Sequence, residues 1–391
     1  MILTNGRIIT PDGVRDDLHV VVTGGTIVEL TSGAANAPSD AIDLCGNYVA
    51  PGFVDVHVHG ALGRDTMEAS QAAFQTICDY HARGGTTSLL LTTATAPVAE
   101  ICNVLRQVRS VRKELPQLQG VHIEGPFISR ERPGAQQREF IREPDRKSAE
   151  QLLEFSDVIK RMTLAPEIPG ALELVAQLRG RGVAVSGGHS DAWDEEARAA
   201  FDAGMRQVTH TFNCMSSARR RGGVRVAGLL EFALSEPEIM CELIADGHHV
   251  STTLMKMLYR TKEADGICLV TDATAGAGLA DRARFTLAGV ECMVRDGACF
   301  LADGSALAGS SAQMIDLIRT MVCDVGVPLH EAIKMGTRNP ADAAGLHTKG
   351  RIEAGADADF VVLSPALEVV RTFIGGCEIF RGSAATRATS S

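Results

Sequence analysis

Two histidines stand one residue apart in the segment PGFVDVHVHG, residues 51–60, at the end of an apolar run. Alternate side chains of a β-strand share a face, so His57 and His59 are predicted to point the same way. Other short apolar runs also end in polar residues that could bind a metal ion or transfer a proton: Glu124, His189, His210 and Asp272. Imidazole and carboxylate groups together suit Zn, Fe, Mn or Co ions. The six residues therefore predict a site for one or two divalent metal ions.

A divalent ion at such a site lowers the pKa of a bound water towards about 7 and polarises a carbonyl group. Hydrolysis then needs a group that takes a proton from the attacking water and returns it to the leaving group. Asp272, in the segment LVTDA, is the candidate for this general base and acid. The simpler interpretation, a structural histidine, is kept for His19, His81, His330 and His347.

The elements that must position these residues alternate through the middle of the chain. Apolar runs separated by amphipathic stretches predict strands at residues 53–59, 86–93, 120–124, 162–167, 183–189, 207–211, 240–246 and 267–273. Eight strand–helix units fit an α/β fold of the (β/α)8 TIM-barrel type, whose active sites lie where the C-terminal strand ends converge. All six candidate residues fall at such ends. A doubly wound open sheet is disfavoured because no glycine-rich phosphate turn follows the first strand.

Both ends of the chain have the pattern of short strands. Gly24-Gly25 and Gly375-Gly376 are predicted tight turns between alternating segments. Residues 1–50 and 350–391 are predicted to pair as one sheet in a small β domain, and residues 51–349 to form the catalytic barrel. A β-hairpin is predicted at 283–302, inserted after the eighth strand.

The overall composition excludes several classes of partner. With 38 Lys and Arg against 48 Asp and Glu, the formal charge of −10 argues against nucleic acid or an anionic membrane. The ten cysteines include no C-x-x-C pair, which is typical of a reducing compartment. No signal peptide or membrane span is recognisable, so a cytoplasmic protein is expected.

Seven segments along the chain carry a resemblance to a known family. In order they are PGFVDVHVHG, HIEGPF, GGHSDA, THTFNCM, ADGHHV, LVTDATAGAG and LAGSS. This series resembles the N-acetylglucosamine-6-phosphate deacetylases of the amidohydrolase superfamily. The resemblance implies metal-dependent hydrolysis of N-acetylglucosamine 6-phosphate to glucosamine 6-phosphate and acetate, with hydroxide on the metal as nucleophile and Asp272 as base and acid.

The resemblance also implies roles for individual residues. Glu124, His189 and His210 would hold the main metal, and His57 and His59 would complete a second position together with Glu124 and Asp272. The sugar phosphate would contact Asn213, Cys214 and His249. An arginine of the loop SSARRRGGVRVAG would contribute, often across a dimer interface, with Arg221 and Arg225 as candidates in an expected homodimer.

Two departures from the family pattern keep alternatives open. Gln136 stands where the family usually has a histidine that polarises the substrate carbonyl, and His248 adds a polar group in DGHH. They favour, as an alternative substrate, a related N-acyl amino sugar such as N-acetylgalactosamine 6-phosphate or a non-phosphorylated analogue. A catalytically silent barrel that acts as a binding module is a further alternative, against which the complete ligand set argues.

Overall fold

A computed structural model describes residues 1–32 and 41–382, and its central feature is a parallel barrel. All eight predicted strands are present, each hydrogen-bonded to the next in chain order, which confirms the fold class. The first and eighth strands meet through a bridge between Val58 and Ala273. The strands span Phe53–Val58, Thr86–Thr93, Leu118–Glu124, Ile159–Leu164, Ala184–Gly187, Gln207–Val208, Met240–Leu243 and Ile267–Leu269.

Helices surround the barrel and cover its outer face. The first begins after Ser70, whose hydroxyl accepts a hydrogen bond from the backbone N–H of Ala73, and it buries Phe74 and Ile77 against the strands. The α-helices of the described residues span Gln71–Arg83, Val98–Val111, Arg146–Leu153, Ala171–Arg179, Asp194–Ala203, Leu229–Ser235, Thr252–Lys262, Met314–Thr320, Leu329–Met335 and Arg338–Ala343.

A separate apolar cluster fills part of the barrel. It joins Val54, Val56 and Leu90 of the first two strands to Ile244 and Val270 near the last two. The short helix Arg338–Ala343 contributes Ala341 to the same cluster. These contacts pack the first and eighth strands, whose C-terminal ends carry His57, His59 and Asp272, against their neighbours.

The chain termini form two sheets instead of the single predicted one. A six-stranded sheet pairs both ends of the chain, in the order Cys377–Arg381, Val369–Ile374, Phe360–Leu363, Tyr48–Pro51, Arg7–Thr10 and Gly13–Arg15. The second sheet uses N-terminal strands alone, in the order Thr26–Ser32, Leu18–Thr23, Ile2–Thr4 and Ile42–Asp43. A core of its own, including Leu3, Ile27 and Phe360, packs these strands together.

Gly52 links the six-stranded sheet to the first barrel strand. A Cβ atom at this position would lie 2.1 Å from Oγ1 of Thr87, so a larger residue would push apart the first two barrel strands. Close packing against Thr87 therefore requires glycine at residue 52, just before the strand that carries His57.

The insertion after the eighth strand has three antiparallel strands, Arg284–Leu287, Val290–Arg295 and Ala298–Leu301, so the predicted hairpin was incomplete. Its first turn is fixed from two sides. Asp65 accepts a hydrogen bond from the backbone N–H of Ala288 at 3.0 Å, and Gln137 donates to the carbonyl oxygen of Ala288. The turn thereby brings Leu287 to the wall of the pocket described below.

None of the helices in the described parts of the chain combines the length and the apolar character needed to cross a membrane.

Candidate active site

Three of the candidate residues leave their strands in an unusual backbone conformation. His189, His210 and Asp272 have φ values of +47°, +31° and +48°, in the left-handed region that residues with a side chain rarely adopt. The regular strands therefore end earlier than the apolar pattern predicts, and the next residues turn inward. Such strain is retained where the surrounding structure holds it, commonly at functional sites.

Glu124 lies at the centre of the site. Its Oε1 atom is 3.2 Å from Nε2 of both His189 and His210, and its Oε2 atom is 3.3 Å from Nε2 of His59. Nε2 of His57 lies 3.5 Å from Oε1. The potential ligand atoms form two groups that share Glu124, one with His57 and His59 and the other with His189 and His210.

The outer nitrogens of two histidines show that their inner nitrogens can bind a cation. Nδ1 of His189 is 2.9 Å from the carbonyl oxygen of Arg132, and Nδ1 of His210 is 3.2 Å from that of Asn213. Because a carbonyl oxygen only accepts, each Nδ1 carries a proton, so the neutral form of either ring presents the lone pair of Nε2 to the site. The two Nε2 atoms face each other at 3.1 Å, an arrangement that a cation between them relieves. The residues present therefore fit a divalent metal ion.

Electrostatics at the centre also favour a cation. Burial alone would raise the pKa of Glu124, but the charges of His57 and His189 outweigh it and hold this pKa well below its ordinary value. Burial likewise opposes protonation of His59, yet its contacts with Asp272 and Glu124 raise the pKa of the imidazole to about 9. Glu124 is thus an anion that draws positive charge to the site.

Asp272 combines contact with the histidine pair and access to the pocket. Its Oδ1 atom lies 3.4 Å from Nε2 of His57 and 3.3 Å from Nε2 of His59. Its side chain is 11% exposed, whereas those of the four histidines and Glu124 are at most 5% exposed. Burial raises the pKa of Asp272, but the charge of His57 and the hydrogen bond with His59 outweigh burial and hold the pKa below its ordinary value. The group is therefore a carboxylate that can accept a proton.

Asp55 ties the first strand to the eighth beside these residues. Its Oδ2 atom accepts a hydrogen bond from the hydroxyl of Thr271 at 2.6 Å, and its Oδ1 atom is 3.3 Å from the backbone nitrogen of His57. The backbone N–H of Asp272 donates to the carbonyl oxygen of His57 at 2.9 Å. The segment DVHVH therefore positions both the histidine pair and Asp272.

A cavity of about 250 Å³ opens above the ligand groups. Four of the predicted substrate-binding residues line it: Gln136, Asn213, Cys214 and His249. Its apolar wall comes from Ile244, Leu287 and Leu307. The structure thus brings these residues together with His59, Glu124, His189, His210 and Asp272 around one space.

Gln136 is fixed by two hydrogen bonds. Its Oε1 atom accepts from the backbone N–H of Thr95 at 2.7 Å, so its amide nitrogen is directed at Glu124 and donates to Oε2 at 2.6 Å. This residue therefore restrains a central carboxylate besides facing the cavity. A direct contact between Gln136 and a substrate remains a prediction.

His249 is held by Asp246 at the edge of the cavity. Its Nδ1 atom is 2.7 Å from Oδ2 of Asp246, whose Oδ1 accepts the backbone N–H groups of His248 and His249. Burial opposes protonation of His249, but the hydrogen bond and charge of Asp246 raise its pKa above the ordinary value. The arrangement places a positively charged group at the edge of the cavity.

Three predicted substrate contacts lie away from the cavity wall. His248 is exposed. Arg221 lies on an exposed hairpin, Arg219–Arg221 with Val224–Val226, and it pairs with Glu195. Arg225 of the same hairpin donates to the carbonyl oxygen of Ala218 at 3.2 Å. Within one chain, the walls formed by the described residues include no arginine.

Sequence reasoning missed a buried polar network beneath the histidines. Glu242, on the seventh strand, lies 3.3 Å from Nδ1 of His57 and forms an ion pair with Arg161 of the fourth strand. The ring of His122 stands edge-on to that of His57 at 4.6 Å. A signal was present, because Glu242 is a charge within the predicted strand segment MCELIAD, and Arg161 directly precedes the predicted strand segment MTLAPE.

Comparison with known proteins agrees with this geometry. The model of the amidohydrolase family matches residues 48–379, and the chain therefore belongs to the amidohydrolase family. Such proteins are hydrolytic enzymes built on the barrel described above.

Individual relatives narrow the comparison to amino-sugar phosphate deacetylases. The N-acetylglucosamine-6-phosphate deacetylase of Lysinibacillus sphaericus is 33% identical over 380 residues, 96% of this chain and 97% of that protein. The N-acetylgalactosamine-6-phosphate deacetylase of Escherichia coli O157:H7 is 32% identical over 380 residues, 96% of this chain and 98% of that protein.

A solved structure shows the same similarity in three dimensions. It is a mutant N-acetyl-D-glucosamine-6-phosphate deacetylase from Mycobacterium smegmatis in complex with N-acetyl-D-glucosamine-6-phosphate. The TM-score is 0.91 at 31% identity, over 97% of this chain and 99% of that one. The resemblance inferred from the seven sequence segments is confirmed.

Proposed function

We propose that the chain hydrolyses the acetamido group of N-acetylglucosamine 6-phosphate to give glucosamine 6-phosphate and acetate. The observation that carries this proposal is the set of six ligand and acid–base residues, five of which line one cavity while His57 lies against His59 and Glu124. The chain is also similar over its length to deacetylases of such sugars. The six residues come from the ends of five different strands, so their convergence needs the whole barrel.

Glu124, His189 and His210 would hold one divalent ion, and His57, His59, Glu124 and Asp272 a second. A bound ion supplies acidification of a water and polarisation of the amide carbonyl. Asp272 takes the proton from the attacking water at its carboxylate and delivers it to the sugar nitrogen as the C–N bond breaks. Gln136 keeps Oε2 of Glu124 in place during this exchange. Acetate and the free amine leave.

The 6-phosphate is proposed to bind near His249. Replacing His249 by Gln removes the positive charge that Asp246 stabilises, and loss of a charge-assisted hydrogen bond worth about 1.5–3 kcal/mol raises KM about 10–100-fold. Because the pKa of His249 is raised, the protonated form persists above the ordinary pKa, and phosphate affinity falls as pH rises through the raised value. Steady-state kinetics between pH 6 and pH 9 measure both effects.

The control for His249→Gln is the unphosphorylated sugar. Its KM is expected to stay the same in the variant, since it has no group for His249 to bind. An equal rise in KM for both sugars would contradict the phosphate role.

The function itself is tested by a substrate panel. Metal-loaded protein is assayed for acetate release from N-acetylglucosamine 6-phosphate, N-acetylgalactosamine 6-phosphate and both unphosphorylated sugars, with each of Zn, Fe, Mn and Co. We expect the highest kcat/KM for the glucosamine phosphate. Preference for the galactosamine phosphate would instead support the second candidate, which the relative from Escherichia coli O157:H7 favours. Absence of acetate release from every sugar would defeat the proposal.

Two further features of the working enzyme are part of the proposal. The arginine hairpin is exposed while the described cavity wall has no arginine, which supports a homodimer in which Arg221 or Arg225 reaches the partner's phosphate site. All ten cysteines are free thiols, which supports a cytoplasmic location.

A further inference from the structure

His57 differs from the other metal-site histidines in what holds its outer nitrogen. In His189 and His210 the Nδ1 atoms face backbone carbonyl oxygens. A side-chain substitution does not remove such an acceptor. In His59 the Nδ1 atom is buried and has no hydrogen-bond partner among the described residues. Nδ1 of His57 instead lies 3.3 Å from a side-chain carboxylate oxygen, Oε2 of Glu242.

This contact determines which nitrogen of His57 faces the site. A carboxylate accepts hydrogen bonds, so in the neutral imidazole the proton lies on Nδ1 and the lone pair on Nε2. Nε2 of His57 lies between Oε1 of Glu124 at 3.5 Å and Oδ1 of Asp272 at 3.4 Å. Glu242 therefore both orients the ring and leaves its inner nitrogen free to bind an ion.

Glu242 is itself held in place by Arg161. Both side chains are 1% exposed, and the guanidinium contacts Oε1, which leaves Oε2 for His57. Arg161 also donates to the hydroxyl of Ser186 at 2.7 Å, which contacts the hydroxyl of Thr209 at 2.6 Å. The ion pair thus spans the barrel from the fourth strand to the seventh.

We propose that Glu242, held by Arg161, is a positioning residue for the second metal position, where it orients His57 as a ligand. This inference rests on the two-metal site of the proposed function. The main position depends on it less, because Glu242 contacts His210 only at the backbone N–H, at 2.9 Å, while the His210 ring is oriented by Asn213.

The test compares two paired substitutions, because removal of Glu242 alone would leave Arg161 as an unpaired buried charge. Arg161→Met with Glu242→Leu removes both charges and the acceptor for His57. Arg161→Met with Glu242→Gln removes the charges but keeps a neutral acceptor. Asp359→Asn, which removes another buried carboxylate, paired with Lys349 in the terminal sheet region, is the matched control. Thermal unfolding checks that every variant is folded.

Metal-free proteins are titrated with Zn²⁺ against a competing chelator, and bound metal is counted by elemental analysis. We expect the Leu pair to bind the second ion about 10–100-fold more weakly than the wild type, the Gln pair to lose less, and the first ion to bind unchanged. The Asp359→Asn control is expected to bind both ions normally. Co²⁺ absorption spectra provide a second record of occupancy at the two positions.

A background that lacks His57 and His59, made by His57→Ala with His59→Ala, assigns the effect to its site. There the Leu pair is expected to cause no further loss of metal affinity. Wild-type affinity for both ions in the Leu pair, further loss in the background, or binding of a single ion by the wild type would each overturn the proposal. Since these titrations need no substrate, a wild type that releases no acetate but shows the expected Glu242 dependence would defeat only the proposed function.

Discussion

Asp272→Asn protein is expected to lose about 10²–10⁴-fold in kcat for acetate release, the range that general acid–base catalysis contributes. The amide of asparagine has the shape of the carboxylate but neither accepts the proton of an attacking water nor returns one to the sugar nitrogen. KM is expected to change little, because Asp272 contacts His57 and His59 and is placed at the reacting amide, away from the proposed phosphate site at His249. Single-turnover and steady-state assays at saturating metal measure the loss.

Asp272 is also a proposed metal ligand, so the variant needs a metal count as well as a rate. Elemental analysis should show the His189 and His210 position still filled, because Asp272 contacts His57 and His59, whereas the other ligand group is Glu124, His189 and His210. Asp79→Asn, on the exposed side of the first helix, is the matched control and should keep the wild-type rate. Undiminished acetate release by Asp272→Asn would remove Asp272 from the mechanism.

The fold and the ligand set could be predicted from the sequence because both depend on local patterns. Short apolar runs at regular spacing predicted the eight strands, and a polar residue at the end of a run predicted a position on the active face. The pattern did not predict that His189, His210 and Asp272 leave the strands through left-handed backbone conformations, which depend on the packing around them.

The supporting contacts could not be predicted, because they join residues that are distant in sequence. Arg161 and Glu242 are 81 positions apart by their numbers, and neither residue indicates in the sequence which residue it pairs with. The same limit applies to Gln136, whose hydrogen bonds to Thr95 and Glu124 could not be predicted from its family position. Sequence spacing also made Arg221 and Arg225 candidates for the phosphate site. Neither lines the cavity of its own chain, and their contact with a substrate stays a prediction.

Loss of a ligand from the main metal position is expected to reduce acetate release more than loss of a ligand from the second position. His189→Gln removes a proposed ligand whose Nε2 atom lies 3.2 Å from Oε1 of Glu124. Loss of a residue that only supports a ligand typically costs about 10–100-fold in activity. Loss of the ligand itself is expected to cost more, so that activity falls below detection. His57→Gln leaves His189, His210 and Glu124 in place. It should lower metal content by one ion and reduce the rate, while leaving measurable acetate release.

The contrast follows from the way Glu124 is shared. Its Oε1 atom is nearer to His189 and His210 than to His57, so the main position can keep its three ligands when the second is lost. Metal analysis and acetate release are measured on the same preparations, with His330→Gln on the outer helix Leu329–Met335 as the control that should match the wild type. If His57→Gln and His189→Gln were equally and completely inactive, the second ion would be as essential as the first, and Glu124 would have to hold both ions for the reaction to occur.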